Sequence, residues 1–399
     1  MKAVDHDAIA NILTLRYDPH RPQTRPLSAT DFRPAKKSAD GAEVRILEII
    51  EQDLDSVKAD SAAVLMSGGV DSALTLAMIR KFRPDIKVSC VSMGFGDPDD
   101  EVGPARAIAD SFGCDFEAVV RGDVLSDLPM LVSIVKEPRW NLYQYYALKA
   151  ARSKSRLIFS GDGGDELFGG YTFRYQKFLS LLPKRASWKQ KAQLYVSCHE
   201  RDWVPDQEKV FGPKVRFSWD RIYSLLKRHF DNSLDPLDQV FLADYDGKLL
   251  YDWIPANIAF ARELDARITS LFLSSKMTKF ATHLPWQAKY CQETATGKLP
   301  LRSILKKQGL HAEPVKKGFS VDTIALWSRD AREITDRYVN SGSEVVKAGI
   351  ISGEWVEKTR SRLESEPDFR YVNKMLAILA LEVWWRLFVS HTMNKSEKL

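Results

Sequence analysis

Two glycine-rich segments of this 399-residue chain carry side chains whose types and spacing suggest chemistry, and the first is SGGVDS at Ser67–Ser72. Gly68 and Gly69 allow the backbone to turn tightly and to approach an anion closely. Backbone N–H groups and the start of a helix then offer positive potential to phosphate oxygens, and the two serines add hydroxyl donors. A phosphate would repel Asp71 unless a divalent cation lay between them, so Asp71 is predicted to bind Mg²⁺. The alternative interpretation is a tight strand-to-helix turn.

The second segment is SGDGGDELFGGY at Ser160–Tyr171, which again follows an apolar run directly. Asp162, Asp165 and Glu166 stand among five glycines, a composition that suits the surroundings of a magnesium pyrophosphate better than a core or an ordinary turn. Ligands of parallel sheets bind at the carboxyl ends of the strands. Asp165 is therefore predicted to complete the metal coordination that Asp71 begins. The alternative interpretation is a flexible solvent loop.

The segments around these loops predict an α/β fold. Four short apolar runs are interpreted as strands, at Ala62–Met66, Val88–Met93, Phe116–Val120 and Arg156–Phe159. Helical patterns lie between them, at Ser72–Lys81, Val102–Phe112 and Leu142–Ser153. This alternation predicts a parallel sheet of four or five strands with flanking helices. Beyond about Lys184 the strand signals fade, which predicts a mostly helical C-terminal half.

The N-terminal part of the chain differs in composition from the rest. Pro22, Pro26 and Pro34 stand among Arg, Thr, Ser and Lys residues, which predicts an extended arm with little core of its own. From Ala42 an amphipathic helical pattern begins. The sequence therefore predicts an arm over residues 1–41 and one catalytic domain over residues 42–392.

The bulk composition is that of a folded enzyme. Hydrophobic residues make up 44% and charged residues 28% of the chain, which argues against disorder. The net charge of +5 is mild, so it fits a protein that handles phosphates and does not by itself indicate a nucleic-acid partner. The four cysteines show no CxxC spacing and are expected to be free thiols. No apolar run approaches the ~20 residues of a membrane span. A cytoplasmic protein without membrane contact is expected, and a homo-oligomer remains open.

The two loops together resemble the synthetase domain of the asparagine synthase family. The first loop lacks the Gly-Lys-Ser/Thr ending of a Walker loop and the spacing of a dinucleotide fingerprint, and instead resembles the SGGxDS loop of the ATP pyrophosphatase (PP-loop) superfamily. The resemblance covers roughly residues 40–390. It implies ATP and Mg²⁺ as cofactors and cleavage of ATP to AMP and pyrophosphate. It also implies that residues 1–41 are the remnant of a linker to a glutaminase domain.

Further residues take their expected roles from this resemblance. The family's K-x-x-L-R segment, which holds a catalytic lysine facing the acyl-adenylate, appears as KLPLR beginning at Lys298. The lysine of the R-x-K-x-G-F segment corresponds to Lys316. Asp162 stands where the family places an acidic or tyrosine side chain near the reacting carbonyl. The residues that match ATP contacts outside the first loop are Met66, Met93, Ser160 and Gly161.

Two departures from the family limit what the resemblance implies. The family's E-x-R-x-P-F-L-D segment is replaced by RITSLFLS at Arg267–Ser274, which leaves aspartate open as the substrate. Full-length relatives begin with a glutaminase domain whose nucleophile is an N-terminal cysteine, whereas the first cysteine here is Cys90. The chain is therefore expected not to release ammonia from glutamine, and a separate amidotransferase subunit is a candidate partner.

The predicted function is ATP-dependent amide formation: a small carboxylate, with aspartate the first candidate, is adenylated and then transferred to ammonia or another amine. A biosynthetic amide synthetase with a different carboxylate and amine is one alternative. Another is a PP-loop enzyme that activates a base in tRNA, which would require a nucleic-acid groove and salt-sensitive binding. A non-catalytic binding subunit is disfavoured, because the metal-ligand and catalytic positions all carry competent residues.

Overall fold

The computed structural model describes residues 4–23, 25–96, 101–310 and 321–399. Its centre is a five-stranded sheet in which every pairing is parallel, with the strand order β3-β2-β1-β4-β5. The strands are β1 Ser61–Leu65, β2 Lys87–Gly94, β3 Asp115–Val120, β4 Leu157–Ser160 and β5 Arg267–Ser270. The predicted α/β class, with a parallel sheet and a mostly helical second half, is confirmed. The fifth strand lies in a segment for which the sequence showed no strand signal.

Helices cover both faces of the sheet and make up most of the chain after β4. In the first half they are α1 His6–Leu15, α2 Ala42–Asp55, α3 Val70–Phe82, α4 Val102–Ser111, α5 Leu128–Val135, α6 Gln144–Lys154, α7 Gly164–Phe168, α8 Thr172–Leu181 and α9 Trp188–Ser197. They continue with α10 Gln207–Val210, α11 Trp219–Leu225, α12 Lys227–Phe230, α13 Pro236–Asp244, α14 Ile254–Glu263, α15 Ser275–His283 and α16 Leu299–Lys307. The last are α17 Thr323–Leu326, α18 Arg332–Tyr338, α19 Glu344–Lys347, α20 Gly353–Ser365 and α21 Phe369–Phe388. Short 3₁₀ turns lie at Lys36–Ser38 and Trp286–Ala288, and π-helical segments at Tyr245–Trp253 and Trp327–Ala331.

The central strands are apolar because helices cover them from both sides. Val64 of β1, Cys90 of β2 and Ile158 of β4 are fully buried. At the edge of the sheet β3 is only partly buried, in keeping with its more polar sequence. None of the described helices is both long and apolar enough to span a lipid bilayer.

The strand order fixes where a ligand can bind. From β1 the chain moves outward to β2 and β3, and it then returns to place β4 on the other side of β1. The chain thus reverses its direction of progress across the sheet between β1 and β4, and the loops that follow these two strands are neighbours at the carboxyl edge of the sheet. Such a switch point opens a crevice in parallel α/β sheets. Both glycine-rich segments begin at this crevice.

The N-terminal helix α1 is part of the packed structure. Its residues Ile9, Ala10 and Leu13 are buried in the same apolar cluster as much of α21. The side-chain amide of Gln207 donates to the carbonyl of Leu13 at 3.1 Å. Helix α1 therefore packs with the core, and the division of the chain into residues 1–41 and 42–392 stays a prediction.

Lys374 of α21 also ties α1 to the core. Its ammonium group is buried and donates to the backbone carbonyls of Leu13 and, at 2.8 Å, Asp202. Burial lowers the pKa of Lys374 to about 7, and the nearby charge of Asp202 offsets this only in part. The unfolded chain, where the pKa is near 10.5, binds more protons than the folded chain between pH 7 and that value. The free energy of unfolding should therefore rise with pH across this window.

We expect Lys374→Met to remove about 1–2 kcal/mol of the increase in unfolding free energy between pH 7 and pH 9, because it deletes this titration. The measurement is chemical denaturation at both pH values for the wild type, Lys374→Met and the matched surface variant Lys395→Met. Lys395 is exposed, so its variant should keep the wild-type pH dependence. An unchanged pH dependence in Lys374→Met would contradict the assignment.

Candidate active site

The loop between β1 and α3 is closed by its two serines. The backbone N–H of Ser67 donates to Ser72 Oγ at 3.0 Å, and this hydroxyl donates to the carbonyl of Ser67 at 2.9 Å. Gly68 has no room for a side chain, because an added Cβ would lie 2.6 Å from Pro104 Cβ. Gly69 forms the N-cap of α3 and provides no side-chain cap. The first N–H groups of this 13-residue helix thus face the crevice without a capping side chain, as an anion site requires.

The loop between β4 and α7 packs directly on Asp71. An added Cβ at Gly161 would lie 2.9 Å from Asp71 Cβ, and one at Gly164 would lie 2.4 Å from Asp71 Oδ1. Gly163 has a φ of +88°, which a residue with a side chain rarely adopts. The glycines of the second segment therefore let the two loops meet, and they bring Asp165 to the same place as Asp71.

Lys298 joins the two carboxylates, although it lies in the helical half of the chain. Its Nζ bonds Asp71 Oδ2 and lies 2.7 Å from Asp165 Oδ1. The residue is buried, with 6% of its surface exposed, and forms the N-cap of α16 in a left-handed conformation at φ +57°. Its N–H donates to the carbonyl of Phe168 at 3.0 Å. The local backbone is thus strained and held by the second loop, a combination that often marks a functional position.

Close backbone contacts restrict the position of the Lys298 side chain. An added Cβ at Gly170 would lie 2.5 Å from Lys298 Cε, and one at Gly297 would lie 1.9 Å from the carbonyl oxygen of Gly169. Gly169 and Gly170, near the end of the second segment, therefore make room for the Lys298 side chain and the backbone before it. The position of these glycines is therefore explained by Lys298, which lies more than a hundred residues further along the chain.

The carboxylate pair fits a magnesium ion. Asp71 Oδ1 is buried and has no hydrogen-bond partner within the described residues. The described residues hold no cluster of three or more His, Cys, Asp or Glu side chains arranged around one point. Magnesium is commonly held by one or two carboxylates, with the remaining positions filled by water and phosphate oxygens. Asp71 and Asp165 meet that requirement and would not suit a metal that needs an all-protein cage.

Asp162 is held by three side-chain donors at the rim of the crevice. Trp253 Nε1 donates to one carboxylate oxygen at 2.7 Å, and Ser160 Oγ and Asn257 Nδ2 donate to the other at 2.8 and 3.1 Å. Burial raises the pKa of the Asp162 carboxyl, and these three hydrogen bonds oppose that effect. Ser270 of β5 donates to the backbone carbonyl of Asp162 at 2.6 Å.

The crevice is a cavity of about 410 Å³ that collects most of the residues predicted from the sequence. Those in its wall are Met66, Ser67, Asp71, Ser72, Met93, Ser160, Gly161, Asp162 and Asp165. Gly68 and Gly69 belong to the adjoining loop, and Lys298 contacts both metal-ligand candidates. Lys316 falls in residues 311–320, outside the described residues.

Arg16 and Lys248 line the wall without any signal in the sequence, and Glu166, which belongs to the second glycine-rich segment, lines it as well. Arg16 reaches the cavity from the end of α1, in a left-handed conformation at φ +74°, and its guanidinium lies 3.3 Å from Asp252 Oδ2. Glu166 accepts a hydrogen bond from the Tyr171 hydroxyl at 2.5 Å, and burial raises the pKa of this carboxyl to about 7. Lys248 lies on the same wall.

Comparison with known proteins places these features in context. A family model described as asparagine synthase matches residues 55–386. A putative glutamine-hydrolysing asparagine synthetase from Mycobacterium bovis is 25% identical over 378 residues, covering 84% of this chain and 55% of the relative. Glutamine-hydrolysing asparagine synthetase 1 from Bacillus subtilis is 27% identical over 194 residues, covering 43% of this chain and 30% of the relative. The chain thus spans about half the length, or less, of these relatives.

A solved structure, the NH3-dependent NAD synthetase of Campylobacter jejuni, aligns with 51% of this chain and 96% of its own at 12% identity. Its TM-score is 0.25, too low to support an argument about this protein.

Proposed function

Because the chain belongs to the asparagine synthase family, we propose that it is an ATP-dependent ligase that adenylates a small carboxylate and passes the acyl group to an amine. The observation that carries this proposal is the contact of Lys298 with both Asp71 and Asp165 at the meeting point of the two glycine-rich loops. If the Ser67–Ser72 segment were only a strand-to-helix turn, a lysine from the helical half of the chain would not be needed between the two carboxylates. Such a lysine suits a site where phosphate charge moves during a reaction.

In the first proposed step, a carboxylate oxygen of the substrate attacks the α phosphorus of ATP. The bond from that phosphorus to the β-phosphate bridging oxygen breaks, and pyrophosphate leaves with the bonding electrons. The Ser67–Ser72 loop and the start of α3 bind phosphate oxygens through N–H and hydroxyl groups. Asp71 and Asp165 would hold Mg²⁺, which when bound supplies neutralisation of the leaving charge.

In the second proposed step, the amine nitrogen attacks the acyl carbon and AMP leaves. The bond from that carbon to the phosphate oxygen breaks with its electrons going to AMP, and the nitrogen passes a proton to the carboxylate of Asp162. Asp162 also orients the amine, because its two carboxylate oxygens are fixed by three donors in the cavity wall. Lys298 follows the negative charge from the α-phosphate to the acyl oxygen.

Aspartate is the proposed carboxylate. The cavity wall carries the cationic groups of Arg16 and Lys248, which suit an acidic substrate and which pair in the structure with Asp252 and Asp202. Ammonia or another amine is the proposed acceptor of the acyl group. A separate amidotransferase subunit is the proposed source of ammonia.

The proposal is tested by measuring pyrophosphate release and amide formation across a panel of small carboxylic acids, with ammonium or glutamine as the nitrogen source. We expect aspartate to give the largest pyrophosphate release. We expect ammonium to support amide formation and glutamine to stay at background, because none of the four cysteines lines the described cavity. Glutamine-driven turnover by the purified 399-residue chain would contradict the nitrogen assignment. Absence of pyrophosphate release with every acid would contradict the reaction itself.

A further inference from the structure

Gln144, a residue of the cavity wall, carries a buried side-chain amide that has no hydrogen-bond partner within the described residues. The residue is only 3% exposed, and neither its Oε1 nor its Nε2 has a hydrogen-bond partner within the described residues. It lines the same cavity as the two glycine-rich loops. Buried polar groups are nearly always paired, so an unpaired donor and acceptor side by side in a cavity wall call for a ligand or for bound water.

The surroundings of Gln144 fit the base of a nucleotide better than its phosphates. Gln144 begins α6, which packs against β1 and β2. The cavity that it lines also carries the apolar side chains of Met66, Val91, Met93 and Leu148. The proposed phosphate-binding loops lie instead on the β1–β4 side of the crevice. Gln144 therefore shares its cavity with apolar groups of β2 and α6, where a nucleotide with its phosphates at the loops would place its base.

A purine base matches this wall in both shape and polarity. Its flat faces are apolar and pack well against thioether side chains. Its edge combines a donor with an acceptor, as the glutamine amide does, and a glutamine pairs with adenine by accepting from N6 and donating to a ring nitrogen. We propose that Gln144 reads the edge of the adenine and so selects the nucleotide that this enzyme uses. The inference rests on the proposed nucleotide site and adds a specificity-determining residue to it.

The test is nucleotide binding by calorimetry, with Mg²⁺ present and no carboxylic acid added. The proteins are the wild type, Gln144→Met, which keeps the side-chain volume, and the exposed matched control Gln52→Leu. The ligands are ATP, purine riboside triphosphate, which lacks the 6-amino group, and 2′-deoxy-ATP. We expect Gln144→Met to bind ATP about 5- to 100-fold more weakly than wild type, as loss of a bidentate base contact implies.

The analogues identify which part of the nucleotide the amide contacts. The wild type should distinguish ATP from purine riboside triphosphate, and Gln144→Met should not. Both proteins should lose the same factor when the 2′-hydroxyl is removed. If Gln144→Met keeps its ATP affinity, or if it loses discrimination of the 2′-hydroxyl instead of the amino group, the inference is overturned. A wild-type protein that binds no ATP would overturn the proposed function and this inference together.

The melting temperature without nucleotide supplies a second readout. Replacing an unpaired buried amide by an apolar group of the same size relieves an unmet hydrogen-bonding requirement. Gln144→Met should therefore melt at the wild-type temperature or on the order of 1–3 °C above it while binding ATP more weakly. A large decrease in melting temperature would show that the amide serves packing, and would overturn the inference.

Discussion

Asp71→Asn and Asp165→Asn are each expected to lower pyrophosphate release by a factor of about one hundred or more while the fold survives. The amide keeps the size of the carboxylate and removes its charge, so a divalent cation loses a ligand. Asp71 is expected to be the more sensitive position, because its buried Oδ1 has no hydrogen-bond donor among the described residues and is available to a metal.

The experiment measures pyrophosphate release as a function of Mg²⁺ concentration, together with the melting temperature of each variant. Asp110→Asn is a matched control, because Asp110 is exposed on α4 and lies outside the cavity. The metal assignment predicts that both site variants require more Mg²⁺ than the control does. Near-normal pyrophosphate release by either variant, at the same Mg²⁺ requirement, would refute its place in the metal site.

The sequence predicts those strands and helices whose apolar residues recur at the spacing of a strand or a helix. β1 and β4 are apolar runs that end in glycine-rich loops, β2 is an apolar run, and α3 and α6 begin within two residues of their predicted starts. β5 is different, because it is a four-residue edge strand that pairs with β4 alone among the described strands. A short edge strand carries too little periodicity to be distinguished from a loop in a helical region.

The parts of the site that the sequence missed depend on tertiary placement. Trp253 and Asn257 hold Asp162 across 91 and 95 residues, and nothing in their local sequence indicates this contact. The ring of Trp253 packs against a core cluster while its N–H bonds Asp162 in the cavity wall. The local sequence around Arg16 likewise does not indicate a place in the cavity wall, because that place depends on how α1 packs beside the crevice. Lys298 was found only through the family resemblance, since a lone lysine ahead of a helix is ordinarily a surface residue.

The segment that departs from the family still supports the second loop. Ser270 donates to the carbonyl of Asp162, and Leu273 fills the space beside Gly163, where an added Cβ would lie 2.4 Å from Leu273 Cδ2. Arg267–Ser274 therefore keeps a structural task although most of the family's residues are replaced there. A change of substrate, if the panel of acids reveals one, would follow from altered charge along this segment rather than from loss of the loop it supports.

Lys298→Ala is expected to separate nucleotide binding from product formation. ATP should still bind, because the Ser67–Ser72 loop and the start of α3 are the proposed phosphate-binding groups and do not depend on the lysine. Amide formation should fall by roughly a hundred- to a thousand-fold, the loss that follows removal of one key electrostatic donor. Lys298→Arg should rescue poorly, because Gly170 approaches Lys298 Cε closely and a planar guanidinium needs more room than an ammonium group. Alanine and arginine both keep a Cβ, so the left-handed backbone is strained equally in all three proteins.

The same substitution should change how stability depends on metal. Lys298 is buried between Asp71 and Asp165, and its removal takes away the ammonium group that contacts both carboxylates. Breaking a buried ion pair in this way costs about 3–5 kcal/mol. Mg²⁺ should restore part of that loss in Lys298→Ala and have a smaller effect on the wild type, because the metal then replaces the positive charge that the lysine supplied. The measurements are ATP affinity, product rate and melting temperature with and without Mg²⁺ for the wild type, Lys298→Ala and Lys298→Arg. A normal product rate in the alanine variant would mean that Lys298 only neutralises the two aspartates in the resting protein, and its catalytic role would have to be abandoned.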